Sequence, residues 1–217
     1  MNFVKTLPFV PAVILAMTTS ALGQDTPPPP VPKGYLVAVG GSAFNLDFEH
    51  PTPTIALEYG ERIHHDVQAY ANFSFVNNVM SETMRGHLVT AGQMFGDTFT
   101  GRDRALTFTM GGKYLLPSDL RFRPYVGGGL GIINLKRRIQ EAEFGDVTEF
   151  FYTLTGLNDG VINAGETSIN KPLGEIIVGV NGASGKAFVD ISYRYRRALN
   201  PVTVEFSQVT AAVGMAW

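Results

Sequence analysis

Apolar residues alternate with small or polar residues along the last stretch of the chain, which ends on an aromatic residue. One parity holds Val209, Ala211, Val213, Met215 and Trp217, and the other holds Gln208, Thr210, Ala212, Gly214 and Ala216. A period of two predicts a strand with two chemically different faces. Such a strand suits a membrane, where its apolar face meets lipid and its terminal aromatic ring lies at the interface. The same alternation recurs at least six more times upstream, which predicts a membrane-spanning β-barrel.

The first residues have the pattern of a secretory signal. A basic start with Lys5 precedes an apolar run at 7–17 and the small residues Ala21-Leu22-Gly23. The run is about 11 residues long, short of the roughly 20 that a membrane-spanning helix needs. We therefore predict a cleaved signal peptide at 1–23 rather than a retained helix. The proline-rich residues 24–33 are expected to be a linker, either a spacer or a disordered leader.

The composition excludes several classes of function. The chain has no cysteine, which rules out disulfides, thiolate metal sites and a cysteine nucleophile. Its formal net charge is -2 and no basic block stands out, so nucleic acid is not an expected partner. Beyond the signal, no apolar run approaches the length of a membrane helix. A soluble β-domain and a closed membrane barrel remain, and we expect neither to need a cofactor.

Eight segments have the pattern of strands, and the connections between them differ in length. The strands are predicted at about 34–46, 54–62, 66–75, 104–116, 122–135, 173–181, 186–196 and 202–217. The connections after the second, fourth and sixth strands are short and rich in turn residues, whereas 76–103 and 136–172 are long. Bacterial outer-membrane barrels have short periplasmic turns, long external loops and an even number of strands. The sequence predicts an all-β, eight-stranded antiparallel up-and-down barrel over 34–217.

The two faces of these strands differ in charge. One face has no charged residue and includes Leu57, Phe73, Phe108, Met110, Leu130, Ile176 and Ile191. The other face has four acids and four bases, which we predict to form a charge network inside the barrel: Glu58, Asp66, Lys113, Arg123, Glu175, Asp190, Arg194 and Arg196. Buried charges are tolerated when paired, and this set can pair. The alternative is a soluble barrel with the apolar face inside and the charges in water.

One strand resembles a known family. Residues 122–131 read FRPYVGGGLG, similar to the RPYVGxGxG strand of small outer-membrane barrels of the OmpA/OmpX-like superfamily. The strands at 106–116 and 189–195 and the terminal Trp217 are similar too. The resemblance implies the same barrel fold. It also implies that Trp217 and its strand are recognised by the machinery that inserts barrels into the outer membrane.

The lumen of an eight-stranded barrel is just wide enough for side chains to fill it. A narrow or gated path is conceivable where Gly127, Gly129 and Gly131 face inward. The alternative, which we favour, is that these glycines allow bending or close packing. Likewise, the charge network is expected to hold the interior together rather than to act as a conductive switch.

Other candidate sites are weaker. His64 and His65 lie at a predicted turn and point to opposite faces, while His50 and His87 fall in separate loops, so we assign no metal site and no catalytic residue. Residues 158–166 carry oxygen ligands without the spacing of a calcium loop. Phe150, Phe151 and Tyr152 could anchor a partner or fold over the barrel mouth. The trio Lys136, Arg137 and Arg138 is a candidate contact for lipopolysaccharide phosphates, or ordinary rim charge.

These features predict a bacterial outer-membrane protein with a structural or surface-interaction role. Its partners would be outer-membrane lipids, lipopolysaccharide and an extracellular ligand at loops 76–103 and 136–172. The alternative is a narrow channel for ions or small solutes. A lipid-modifying enzyme is a third reading, which requires a His–Ser pair at the outer leaflet that we cannot place.

Overall fold

The computed structural model describes residues 32–44, 51–118, 122–157, 160–162, 167–199 and 204–217. The predicted signal peptide and most of the predicted linker lie outside these residues. The chain forms eight long strands: β1 (Gly34–Phe44), β2 (Thr52–His64), β3 (Val67–Val76), β4 (Phe99–Leu115), β5 (Phe122–Glu141), β6 (Ser168–Ser184), β7 (Ala187–Ala198) and β8 (Glu205–Ala216). It also forms helices α1 (Glu82–Phe95) and α2 (Thr148–Thr155) and a two-residue strand, Gly145–Asp146, beside β5.

The eight strands close into an antiparallel barrel. Each strand pairs with the next along the chain, and β1 also pairs with β8, where Leu36 lies opposite Met215. Closure leaves no long strand with a free edge, which is what a sheet in lipid requires. The predicted all-β barrel of eight strands is confirmed. No helix among the described residues is long and apolar enough to cross a membrane.

The uncharged face points outward, as predicted. Its side chains are largely exposed although they are apolar, including Leu57, Phe73, Phe108, Met110, Leu130, Ile176 and Ile191. The inward face holds buried charges and hydroxyls. This arrangement is the reverse of a soluble barrel, so the soluble alternative is wrong. The exposed apolar belt is explained by contact with hydrocarbon.

Aromatic residues with polar tips lie at both ends of this belt. We call the end at which β1 begins and β8 ends the terminal end. There the rings of Tyr59 and Trp217 lie 6.0 Å apart, and the Tyr59 hydroxyl donates to Glu61 at 3.0 Å. At the opposite, outer end, the Tyr195 hydroxyl donates to Glu205 at 2.6 Å. Rings that pack on an apolar belt and turn their hydroxyls toward water are typical of membrane interfaces.

The short connections at the terminal end agree with the predicted turns. β2 and β3 are joined by His65 and Asp66, and β6 and β7 by Gly185 and Lys186. Gly185 has a φ of 60°, a left-handed conformation that glycine adopts without strain. The connection between β4 and β5 is described up to residue 118.

The two long connections are shorter and more ordered than predicted. β4 begins at Phe99 and β5 extends to Glu141, so both strands continue beyond the apolar belt. The predicted loops 76–103 and 136–172 therefore contain strand as well as the two helices. The sequence pattern does not predict this extension, because its outward positions carry Arg102, Lys136 and Arg138 instead of apolar residues.

The two helices pack on the outer tips of β4 and β5. The Ser81 hydroxyl caps α1 by accepting from the Met84 N–H, and Gly96 ends the helix with a φ of 72°. A shared cluster joins the helices to the strands: Met80, Met84, Leu88, Ala91, Phe99, Ile139, Phe151 and Tyr152. We call these helices and strand tips, residues 80–101 and 139–157, the platform.

Candidate functional site

The lumen is closed at the terminal end by stacked aromatic rings. The rings of Tyr35 and Phe188 lie 4.3 Å apart and are nearly parallel, at 3°. They belong to a buried apolar cluster with Val37, Val39, Ala212 and Ala216. The sequence analysis does not predict this aromatic layer. The alternation of residues along each strand assigns Tyr35 and Phe188 to the inward face, but it does not indicate that the two rings stack.

Glu58 is the centre of an ionic layer midway along the lumen. Its carboxylate is 1% exposed and accepts from the Lys113 ammonium at 2.6 Å and the Tyr35 hydroxyl at 2.9 Å. It also accepts from the Asn72 amide at 3.2 Å and from the Arg194 guanidinium. Four donors on one buried carboxylate offset the cost of removing its charge from water.

Glu175 is a second centre in the same layer. It accepts from the Arg196 Nε at 2.5 Å and from the Tyr70 hydroxyl at 2.8 Å, and Arg194 approaches it to 3.7 Å. Arg196 uses its other nitrogens to donate to the hydroxyls of Ser74 and Thr107 and to the side-chain amide oxygen of Asn72. Arg194 therefore lies between the two carboxylates and links them into one network.

Lys113 connects this network to the aromatic layer. Its ammonium lies 4.6 Å from the Tyr125 ring centre, 5.2 Å from that of Tyr35 and 5.6 Å from that of Tyr70. Asp190 approaches the ammonium to 3.7 Å. Ring faces carry partial negative charge, so they add to the stabilisation that the carboxylates provide.

The structure brings together six of the eight charges expected in the network. Glu58, Lys113, Glu175, Asp190, Arg194 and Arg196 are buried, with three acids and three bases. Asp66 and Arg123 are half-buried near the turns at the terminal end and make no ion pair with another described residue. Asp66 lies in the connection between β2 and β3, and Arg123 is the second residue of β5. Arg194 and Glu175 approach each other to 3.7 Å, although Arg196 is the closer partner of Glu175.

A third layer closes the outer end. Apolar side chains from most of the strands meet there: Ala43, Val76, Ala105, Ile133, Leu135, Leu173, Ala198 and Phe206. Above them, the Arg137 guanidinium donates to both Asp103 oxygens, at 2.8 and 2.6 Å, and to the Tyr152 hydroxyl at 2.7 Å. This buried pair fastens α2 to the barrel mouth.

The inward glycines of β5 are filled by their neighbours. A Cβ atom on Gly129 would lie 2.5 Å from the Tyr70 hydroxyl oxygen, and one on Gly131 would lie 1.9 Å from the Phe108 carbonyl oxygen. Neither glycine leaves a passage. The geometry supports close packing rather than a path through the lumen.

The predicted basic trio is divided between two environments. Arg137 points inward and is buried, so it is not an exposed lipopolysaccharide contact. Lys136 and Arg138 point outward and are exposed. All three lie on β5 rather than in a loop. The aromatic trio divides in the same way, because Phe150 is exposed whereas Phe151 and Tyr152 pack into the platform.

The histidines do not converge. His64 and His65 are exposed at the terminal end and His87 is half-buried on α1. Among the residues that the structure describes, no group of three or more His, Cys, Asp or Glu side chains is placed to hold a metal ion. His50 and the oxygen-rich residues 158, 159, 163 and 166 lie outside the described ranges.

A closed barrel with an apolar outer belt, aromatic rings at both ends and buried charges defines a transmembrane β-barrel. Solved structures with the same fold come from bacterial outer membranes. Neisserial surface protein A has a TM-score of 0.52 and 13% identity, covering 85% of this chain and 96% of its own. Ail from Yersinia pestis has a TM-score of 0.51 and 12% identity, covering 86% and 100%. The N-terminal barrel of Pseudomonas aeruginosa OprF has a TM-score of 0.50 and 11% identity, covering 86% and 98%.

No protein-family profile and no curated protein matches this sequence. The structural neighbours therefore establish the fold and not a shared activity. The chain is a small outer-membrane β-barrel, and the predicted location in the bacterial outer membrane agrees with its lipid-facing surface. Outer-membrane barrels have short periplasmic turns and longer extracellular connections, an orientation that would place the platform on the extracellular side.

Proposed function

We propose that this protein is an outer-membrane anchor that acts through contacts at the cell surface and does not pass solutes. The filled lumen is the observation that carries this proposal. The stacked aromatic layer, the ionic layer and the outer apolar layer follow one another along the barrel. Each layer consists of buried side chains, so a solute would have to displace all three.

The platform supports the surface role. Two helices with buried inner faces are fixed to extended strand tips, and the Arg137–Tyr152 hydrogen bond ties α2 to the barrel. The platform also presents exposed apolar side chains, among them Val89, Met94, Phe144 and Phe150. Exposed apolar side chains in an otherwise ordered surface are typical of sites that contact a partner.

A narrow channel is the second candidate. The Asp190 Oδ2 and Arg194 Nη1 atoms are buried without a hydrogen-bond partner, so the ionic layer is not saturated. An unsaturated network has alternative pairings within reach, which a gate requires. The apolar layers on either side would also have to open.

Conductance of the refolded chain in a planar lipid bilayer distinguishes the two candidates. We expect no discrete openings from the unmodified protein, because the three layers close the lumen. Arg194→Ala removes the guanidinium between Glu58 and Glu175 and tests the gate directly. Reproducible openings of the unmodified protein that change with Arg194→Ala would favour the channel and contradict the anchor.

Deleting α2, one of the two helices of the platform, tests the surface role. We expect that replacing residues 142–167 with a short Gly-Ser turn abolishes binding of whole cells to immobilised glycans and proteins, because α2 is lost. The aromatic layer, the ionic layer and the strand residues of the outer apolar layer remain, whereas Val161 and Ile162 of that outer layer are removed. Heat-modifiable gel migration serves as the control that the shortened barrel still folds. Binding that is unchanged by the deletion would show that α2 and the loop after it are not the contact surface.

A further inference from the structure

Four cations form a square on the outward face of β4 and β5, just beyond the apolar belt. In the pairing of these strands Arg104 lies opposite Lys136 and Arg102 lies opposite Arg138. All four side chains are exposed. Like charges directly opposite each other in a sheet repel, so this arrangement costs stability unless an anion lies among them. We call these four residues the cationic rim.

The cationic rim borders a cavity of about 540 Å³. The outward faces of β4 and β5 form one wall, and the start of α2 with Thr148, Glu149 and Phe150 forms the other. A cavity of this size lies within the range of small-molecule sites. It can therefore accept one charged headgroup, whereas a flat patch of cations would not enclose it.

The charge balance within the cavity remains positive. Beneath the rim, Asp103 neutralises Arg137, so that pair adds no net charge. Arg138 pairs with Asp146 at 3.0 Å, whereas Arg102, Arg104 and Lys136 have no carboxylate partner in the ranges that the structure describes. Glu149 also lines the cavity, and its charge offsets one of these three cations, so an excess of two positive charges remains. Hydrogen bonds from Thr148, assisted by Arg138, lower the pKa of Asp146, which keeps this carboxylate charged and Arg138 in position.

The position of the cationic rim relative to the membrane indicates which kind of anion it binds. On the outward face, Leu106 on β4 and Ile132 on β5 are exposed apolar residues, and Arg104 and Lys136 follow them toward the outside. This is the depth at which the lipid belt ends and headgroups begin. A ligand held by the membrane would bring its phosphates to this level without extending above the platform.

We propose that the cationic rim binds the phosphate groups of a phosphorylated glycolipid in the outer leaflet. Arginine guanidinium groups match two phosphate oxygens at once, and the Lys136 ammonium adds a point charge. The inference names a ligand for the surface role proposed above and rests on it. It also replaces the buried Arg137 with Arg102 and Arg104 in the set of phosphate contacts expected from the sequence.

The test measures binding of purified lipopolysaccharide to the complete refolded chain in neutral detergent, with matched variants. The double variant Arg104→Gln/Lys136→Gln removes one row of the rim. Arg197→Gln is the control, because Arg197 is an exposed cation of the same outer end that lies opposite Glu205. Two exposed phosphate contacts account for about a tenfold change in affinity or more. We expect a loss of that size in the double variant and little change in the control.

Three ligands distinguish the sources of the anion. Lipopolysaccharide stripped of its lipid A phosphates is expected to bind all proteins as weakly as the double variant binds the intact lipid. Unchanged affinity after phosphate removal, or after the double substitution, would overturn the proposal. Dextran sulfate tests a soluble polyanion: if it binds more tightly than lipopolysaccharide and depends on the rim, the site takes a free anion and the glycolipid proposal is wrong.

The failure of this inference is distinguishable from the failure of the proposed function. If the deletion of residues 142–167 abolishes surface binding while the double variant keeps full affinity for lipopolysaccharide, only the rim assignment fails. If conductance reveals a channel while the double variant still loses lipopolysaccharide, the anchor role fails and the rim assignment stands.

Discussion

Glu58→Ala is expected to lower the free energy of unfolding by about 3–5 kcal/mol, because it leaves buried cations without their partner. Lys113 and Arg194 both donate to this carboxylate, and both are almost fully buried. Neither can be rehydrated while the aromatic and apolar layers stay closed. The substitution also removes the acceptor of the Tyr35 hydroxyl, whose ring closes the terminal end. Stability and closure of the lumen should therefore weaken together.

Urea unfolding in lipid vesicles measures this effect, followed by the fluorescence of Trp217, the single tryptophan. Glu61→Ala is the matched control, since Glu61 is an exposed carboxylate of the same strand that accepts from Tyr59. Its loss should cost less than about 1 kcal/mol. Equal effects of the two substitutions would mean that water reaches the ionic layer, contrary to the packing described above.

The barrel was predictable because lipid and lumen impose opposite chemistry on neighbouring residues. On β2 the exposed Leu57 and Tyr59 flank the buried Glu58. In a soluble protein the apolar face of such a strand would point toward the core and its charged face toward water. The sequence favours the membrane barrel through the absence of charge on the membrane-spanning part of one face, repeated from strand to strand, together with the unequal connection lengths and the terminal Trp217. This is information that a single strand does not contain.

The partners within the ionic layer were not predictable from spacing. Glu58 and Arg194 are 136 residues apart, and Tyr70 and Glu175 are 105 residues apart. Their contacts depend on barrel closure and on the tilt of the strands, which bring different strands to one height in the lumen. Parity could assign Arg196 and Glu175 to the interior, but not pair them with each other.

The outer end was the least predictable part of the protein. The alternation continues along β4 through Arg102, Asp103 and Arg104, yet its outward residues are charged there because lipid has ended. A pattern that depends on apolar residues stops at the membrane surface although the strand does not. Because the alternation loses its apolar residues there, the sequence analysis does not identify Arg102 and Arg104 as members of the cationic rim. For the same reason it assigns Arg137, which is buried, to one basic trio with the exposed Lys136 and Arg138.

Met110→Arg is expected to destabilise the folded barrel by about 2–4 kcal/mol, the cost of an arginine facing the middle of a bilayer. Met110 lies on the outward face of β4, midway between Leu116 and Arg104, and its side chain is 57% exposed. In water this substitution would replace one exposed side chain with a more soluble one. Only hydrocarbon around the barrel makes it unfavourable, so its sign tests the placement of the whole belt.

Two control substitutions separate the effect of the position in the membrane from the effect of changing the side chain. Met110→Leu keeps the surface apolar and should change stability by less than about 1.5 kcal/mol. Thr100→Arg adds the same cation on the same strand and face, but beyond the belt, and the cost of an arginine falls to about 0–1 kcal/mol near the membrane interface. Unfolding in vesicles and heat-modifiable migration report both. An arginine tolerated equally at positions 110 and 100 would mean that the outward face of β4 meets water along its whole length. The exposed apolar belt would then have no physical explanation, because in water these apolar side chains would be more stable inside the barrel than on its outer surface.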